Sequence, residues 1–186
     1  MKNEILFKNN FISVREAHLP NRDIKYSYVQ DERGVGDGIA ILPFRIKKDA
    51  EGNDEAEFLV RRDWIPAWGV ELDDTKQPYY LMSAISNFIK LGPSNAAVTK
   101  LKEITGYVVS TDELVELGAT YVSKISSAIT HLFSVDLTGL DGGKTTTEDP
   151  LEIMGEAFWT TEKELVEMGA DPLLHVMFSK LLMRWT

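Results

Sequence analysis

One stretch constrains this chain more than any other: residues 94–107, which read Ser-Asn-Ala-Ala-Val-Thr-Lys-Leu-Lys-Glu-Ile-Thr-Gly-Tyr. The pattern predicts a helix over 95–105, with Ser94 or Asn95 as N-cap and Gly106 as the residue that ends it. Ala96, Ala97 and Leu101 form its core-facing stripe. Positions 100, 103 and 104 are spaced i, i+3 and i+4, so Lys100, Glu103 and Ile104 share one face. That face sums to one positive charge, one negative charge and one aliphatic side chain.

The rest of the chain supplies what such a helix packs against. With 186 residues, 44% of them hydrophobic, a single core can bury most of the apolar surface. Residues 1–186 are therefore read as one domain. Residues 11–15 and 24–29 alternate like strands of a small sheet, joined through a turn at Leu19-Pro20-Asn21-Arg22-Asp23. Residues 38–46 read as a buried strand and 58–62 as its hairpin partner, across the polar loop 47–54. The segment 34–38 lacks the spacing of a phosphate-binding loop and precedes a strand, so it reads as a turn.

Residues 64–80 are less regular. With Trp64, Trp68, Tyr79 and Tyr80 they form either a loop packed over the core or an aromatic recognition surface. Later strands are expected over 113–121, 128–137 and 151–159. Between the last two lies a glycine- and threonine-rich loop, 138–149, with no apolar anchor. Thr161 with Glu164 matches a capping box, and Gly169 ends that helix. Asp171 and Pro172 open a last helix to about Arg184, with Leu174, Met177, Phe178, Leu181 and Leu182 along one stripe.

Residues 96–107 resemble the core of a Nudix box, G-x5-E-x7-R-E-U-x-E-E-x-G-U, in which U is a bulky apolar residue. With Gly106 as the closing glycine, the Arg-Glu-U-x-Glu-Glu segment falls on Thr99, Lys100, Leu101, Lys102, Glu103 and Ile104. Of three helix carboxylates only Glu103 stands. Counting back without gaps puts Ile85 at the opening glycine and Leu91 at the upstream glutamate; the alternative is a short deletion at Gly92 and Pro93. The resemblance extends over about residues 4–182. Glu57-Phe58-Leu59-Val60-Arg61-Arg62-Asp63-Trp64 is similar to the strand and turn before the box in ADP-ribose pyrophosphatase-like members. Residues 130–138 and 158–165 are similar to their late strands.

The resemblance implies an α/β fold: a Nudix-type α/β/α sandwich with a mixed central sheet and an extra N-terminal antiparallel sheet. Residues 1–30 would then be a dimerisation or partner-binding element. It also implies roles. Glu103 is the retained catalytic carboxylate, and Arg61, Arg62 and Trp64 are candidate substrate contacts. Arg61 and Arg62 are adjacent on a strand, so at most one looks into a given pocket. In the family the box face holds divalent cations that polarise a pyrophosphate and activate water. Here the Lys100 ammonium would repel such a cation by roughly 1 to 4 kcal/mol.

Two function classes follow. The first is a Nudix-fold protein without hydrolase activity, serving as a structural or interaction subunit or binding a nucleotide derivative, with no cofactor expected. The second is a magnesium- or manganese-dependent hydrolase of nucleoside diphosphate-linked substrates such as ADP-ribose, its metal site rebuilt from Glu103, Glu148 and Glu152. The replacement of two carboxylates, one by charge reversal, favours the first, since fold is weak ground for activity.

A net charge of −9 and a pI near 4.9 argue against nucleic acid or an anionic membrane as a general partner. Without cysteine there are no disulfides or thiolate metal sites. No run approaches the ~18 apolar residues of a membrane span. His131 reads as a structural strand histidine, and His18 and His175 lack ligand spacing, so no zinc site is expected. The chain is expected in the cytoplasm at synthesis, and its alternating N-terminal strands predict a partner-facing sheet that makes it a homodimer or part of a larger particle.

Overall fold

The computed structural model describes residues 2–10, 12–18, 25–32, 37–64, 80–88, 92–121, 128–148, 153, 155–167 and 171–185. Alternation along strand β4 (Gly38–Lys48) decides the architecture. Ile39 and Ile41 face one side, Ala40, Leu42 and Phe44 the other, and all five are buried. A strand apolar on both faces must lie inside a sheet covered twice. β4 pairs antiparallel with β5 (Asp54–Trp64) and parallel with β9 (Ile129–Asp136). Outward from these lie β10 (Glu156–Thr161) beside β5 and β8 (Val115–Tyr121) beside β9. Two short strands separated by Ala84, β6 (Tyr80–Ser83) and β7 (Ile85–Phe88), pair with the end of β5 and the start of β4.

Each face has its own helix layer. Helix α1 (Pro93–Thr105) sets Ala97, Leu101 and Ile104 on Ile39, Ile41 and Phe133. On the opposite face α2 (Glu162–Glu167) and α3 (Pro172–Trp185) set Leu165, Leu174, Met177 and Phe178 on Leu42, Phe58 and Val60. Phe178 meets Phe58 edge-on at 5.1 Å between ring centroids, a geometry that aromatic quadrupoles favour. The chain is thus an α/β/α sandwich on a mixed sheet. None of its described helices is long and apolar enough to cross a membrane.

A second, antiparallel sheet joins β1 (Lys2–Lys8), β2 (Ile12–His18) and β3 (Lys25–Asp31) in that order. The expected strands at 11–15 and 24–29 are its β2 and β3. Strand β1 escaped the sequence reading because Ile5, Leu6 and Phe7 are consecutive and do not alternate. A bulge between Ile5 and Phe7 shifts the register there.

Other boundaries differ for local reasons. Helix α1 starts at Pro93, not at 95; Gly92 is the N-cap and makes no side-chain bond, so neither Ser94 nor Asn95 caps it. Proline suits the first helical position, where its fixed φ matches and its missing N–H is no loss. The strand expected from 113 begins at Val115, because Ser110 and Glu113 close a capping box round the 3-10 turn Thr111–Glu113. The strand expected over 151–159 is observed as Glu156–Thr161. The Thr161/Glu164 capping box is present, with Thr161 N–H donating to Glu164 Oε2 at 2.9 Å. The turns at 19–23 and 33–36 and the stretch 65–79 lie outside the described residues.

One carboxylate ties the small sheet together. Glu32 accepts from Lys8 Nζ at 2.7 Å, Ser13 Oγ at 2.6 Å and Arg15 Nη2 at 3.1 Å. These donors pull its pKa down from the ordinary value to about 2. A depressed folded-state pKa means the tie is fully present above the ordinary carboxylate range and is lost as pH falls through about 2. A carboxyl-carbon NMR titration is expected to give Glu32 a midpoint near about 2. In Glu32→Gln, amide exchange across β2 and β3 is expected to quicken while that of β4 and β9 stays unchanged.

Candidate functional site

α1 packs chiefly on β4, β7 and β9, and only its end reaches the β5–β10 part of that sheet face. A cavity of about 500 Å³ results. Its floor is Leu59 and Arg61 of β5 with Ala157 and Trp159 of β10. The end of α1 supplies one wall through Ile104 and Tyr107, and the 138–148 loop supplies another through Thr145 and Thr147.

The loop is held by backbone, not by apolar anchors. Gly106 closes α1 in the left-handed region at φ 73°, its N–H donating to the Lys102 carbonyl. A Cβ there would stand within 2.5 Å of Gly143 Cα, so the two glycines let the loop lie directly on the helix end. Thr146 N–H then donates to the Glu103 carbonyl at 2.8 Å, satisfying one of the last carbonyls of the helix. Gly142 lies against the Tyr107 ring.

Alternation separates the two arginines. Arg61 is buried and lines the cavity; Arg62 is exposed and pairs with Glu156 at 2.6 Å. The Arg61 Nε–H donates to Asp63 Oδ1, and Ser83 Oγ–H donates to Asp63 Oδ2. Trp64 ends β5, and its side chain lies outside the described residues, as does Glu152. Glu148 is exposed on the loop.

On α1 itself Lys100 is buried and its Nζ lies 3.4 Å from Glu103 Oε2, while Ile104 has joined the core. The three helix positions offer one carboxylate, and an ammonium already holds it. That donor set does not fit a divalent-cation cluster, which needs several oxygen ligands.

Sequence reasoning missed several features. Trp159 forms the aromatic end of the cavity: the Arg45 guanidinium sits 4.1 Å from its ring centroid, and Tyr107 meets it edge-on at 6.3 Å. Arg45 is held in turn by Glu57, at 2.7 and 2.9 Å, and Lys47 also pairs with that carboxylate. Burial opposes ionisation of Glu57, yet Lys47 and Arg45 outweigh it and keep the carboxyl below its ordinary range. Strand alternation from Leu59 through Glu57 and from Ala157 to Trp159 was the available signal. Also missed is a surface group on the small sheet, Glu4, Glu16 and His18, whose ligand atoms lie within 4.8 Å of one another. Lys25 Nζ already occupies it, 2.8 Å from Glu16 Oε1.

No family model matches the chain, and no curated protein matches it in sequence. Solved structures do resemble it. An ADP compounds hydrolase superposes with a TM-score of 0.62 at 14% identity, covering 99% of this chain and 94% of its own. The NUDIX domain of Shewanella oneidensis NrtR, solved with ADP ribose, gives 0.57 at 11% identity, covering 81% and 88%. A mutT/nudix family protein from Listeria innocua gives 0.55 at 12% identity, covering 82% and 97%. At these identities the likeness is one of fold: the chain has the Nudix fold, and it carries the three-stranded N-terminal sheet beside it.

The glycine clasp makes a measurable demand. Gly106→Ala is expected to lose about 1–3 kcal/mol from the positive φ alone, and more from collision with Gly143. Gly52 also has positive φ, 89°, but open space around it, so Gly52→Ala is expected to lose only the backbone part. Urea unfolding of the two variants side by side measures the difference.

Proposed function

We propose that this chain is a Nudix-fold protein with little or no hydrolase activity, which binds a nucleotide derivative in the cavity beside α1 and joins a second copy of itself or a larger assembly through its N-terminal sheet. The observation that carries this reading is the Lys100–Glu103 pair together with the burial of Ile104. Hydrolysis of a diphosphate link needs charge stabilisation and an activated water, and a metal cluster commonly supplies both. Here the one remaining carboxylate serves an internal ion pair. The cavity is still formed, with a buried guanidinium at one end and an indole at the other, the groups a ring-bearing anionic ligand requires.

The competing reading is a magnesium- or manganese-dependent hydrolase of ADP-ribose type that recruits Glu148 and Glu152 to Glu103. It draws support from the loop, since the bond from Thr146 to the Glu103 carbonyl brings the segment before Glu148 onto the end of α1. Product release from ADP-ribose, with either metal, is expected to stay near background for the natural protein and to be unchanged in Glu103→Gln. Robust metal-dependent turnover that Glu103→Gln abolishes would establish the competing reading.

The small sheet supports the assembly half of the proposal. Ile5, Leu6 and Phe7 of its edge strand β1 are each more than half exposed. Contiguous apolar surface on an edge strand is a site where another chain adds or packs. Light scattering is expected to show a dimer or larger species, and Ile5→Asp with Phe7→Asp is expected to shift it to monomer. A monomer at high concentration, with no partner retained from extracts, would contradict this.

A further inference from the structure

We infer that the cavity selects ligands carrying a single phosphate, or an equivalent singly bound oxyanion, beside a planar ring, and that Asp63, Ser83 and Gly155 are the positioning residues that set this selectivity by fixing Arg61. The inference rests on the reading of the cavity as a nucleotide-derivative site.

The guanidinium is built in, not draped over a surface. Arg61 is 6% exposed, so its charge reaches a ligand only through the cavity it lines. Its Nε edge is committed to Asp63, whose second carboxylate oxygen is held by the hydroxyl of Ser83. Arg61 and Ser83 are register partners on β5 and β6, so the three groups belong to one rigid piece of sheet. The other end of the guanidinium lies against Gly155. A Cβ at that position would stand 2.9 Å from both Arg61 Cζ and Asp63 Oδ1, so any other residue would push the guanidinium out of place. Glycine is needed here for space, because Gly155 is not among the positive-φ glycines.

Charge then limits what Arg61 can hold. Among the described residues that line the cavity, Arg61 is the one cation. Asp63 balances it, and Glu156, the one carboxylate among the described lining residues, is turned to Arg62. A first phosphate can share the guanidinium through charge-assisted bonds. A second would find no further cation among the described lining residues, and on α1 it would find the carboxylate of Glu103 already paired with Lys100. At the opposite end the indole of Trp159, backed by Arg45, and the hydroxyls of Thr145 and Thr147 suit a ring and its polar edge or sugar.

The test is calorimetric titration, without divalent metal and then with magnesium, of the nucleoside, 5′-monophosphate and 5′-diphosphate of adenine, guanine and uracil, together with ADP-ribose. For at least one base the monophosphate is expected to bind at least tenfold more tightly than the nucleoside. The diphosphate and ADP-ribose are expected to gain nothing further, with or without magnesium. Asp63→Asn, Gly155→Ala and Arg61→Gln are each expected to erase the monophosphate gain, with melting curves verifying that each variant is folded. Diphosphate or ADP-ribose binding tenfold tighter than monophosphate would overturn this inference and leave the nucleotide reading standing. So would a monophosphate gain that survives Asp63→Asn and Gly155→Ala. Failure of every ligand to bind would overturn the nucleotide reading, and this inference with it.

Discussion

The packing of α1 on only part of its sheet face is the constraint on which the rest of this structure depends. The helix lies over β4, β7 and β9, and its apolar stripe of Ala97, Leu101 and Ile104 is spent there. β5 and β10 continue past it, so their alternating residues on that face, Leu59, Arg61, Ala157 and Trp159, form the floor of a cavity beside it. The glycine at the helix end then lets the 138–148 loop close one side. The cavity is a consequence of layer geometry, and its chemistry comes from the strands and the loop more than from the helix.

Within that geometry charge has been redistributed. The α1 face that carries carboxylates in the resembled box here contains an internal lysine–glutamate pair, and position 104 belongs to the core. Such a pair commits the Glu103 carboxylate to an ammonium on its own helix. Across the cavity the cation is Arg61, oriented by Asp63 and Ser83 and given room by Gly155. Positive charge in this protein is therefore fixed by covalent side chains and hydrogen bonds.

Much of this was legible in the sequence, and the reasons differ by element. The helix at 93–105 and the terminator Gly106 showed because apolar spacing and a C-terminal glycine are local signals. β4 showed because it is buried on both faces, and α3 because its apolar stripe is regular. β1, β6 and β7 did not show. They are short or bulged, and their pairing with strands distant in the chain leaves no period to read. For the site, Arg61 and Glu103 were named from the resemblance, and the alternation argument separated Arg61 from Arg62. Asp63, Ser83, Gly155 and Trp159 were not named, since a hydrogen-bonded chain across two strands and a contact made through the absence of a Cβ exist only once the sheet has formed.

The most direct measurement is a manganese titration followed by paramagnetic broadening of backbone amide signals, because it asks whether α1 holds a cation without asking for turnover. Amides of residues 100–106 are expected to keep their line widths at millimolar manganese, whatever happens at the Glu4, Glu16 and His18 surface group. Selective broadening of the Glu103 and Ile104 amides at micromolar manganese, lost in Glu103→Gln, would contradict it.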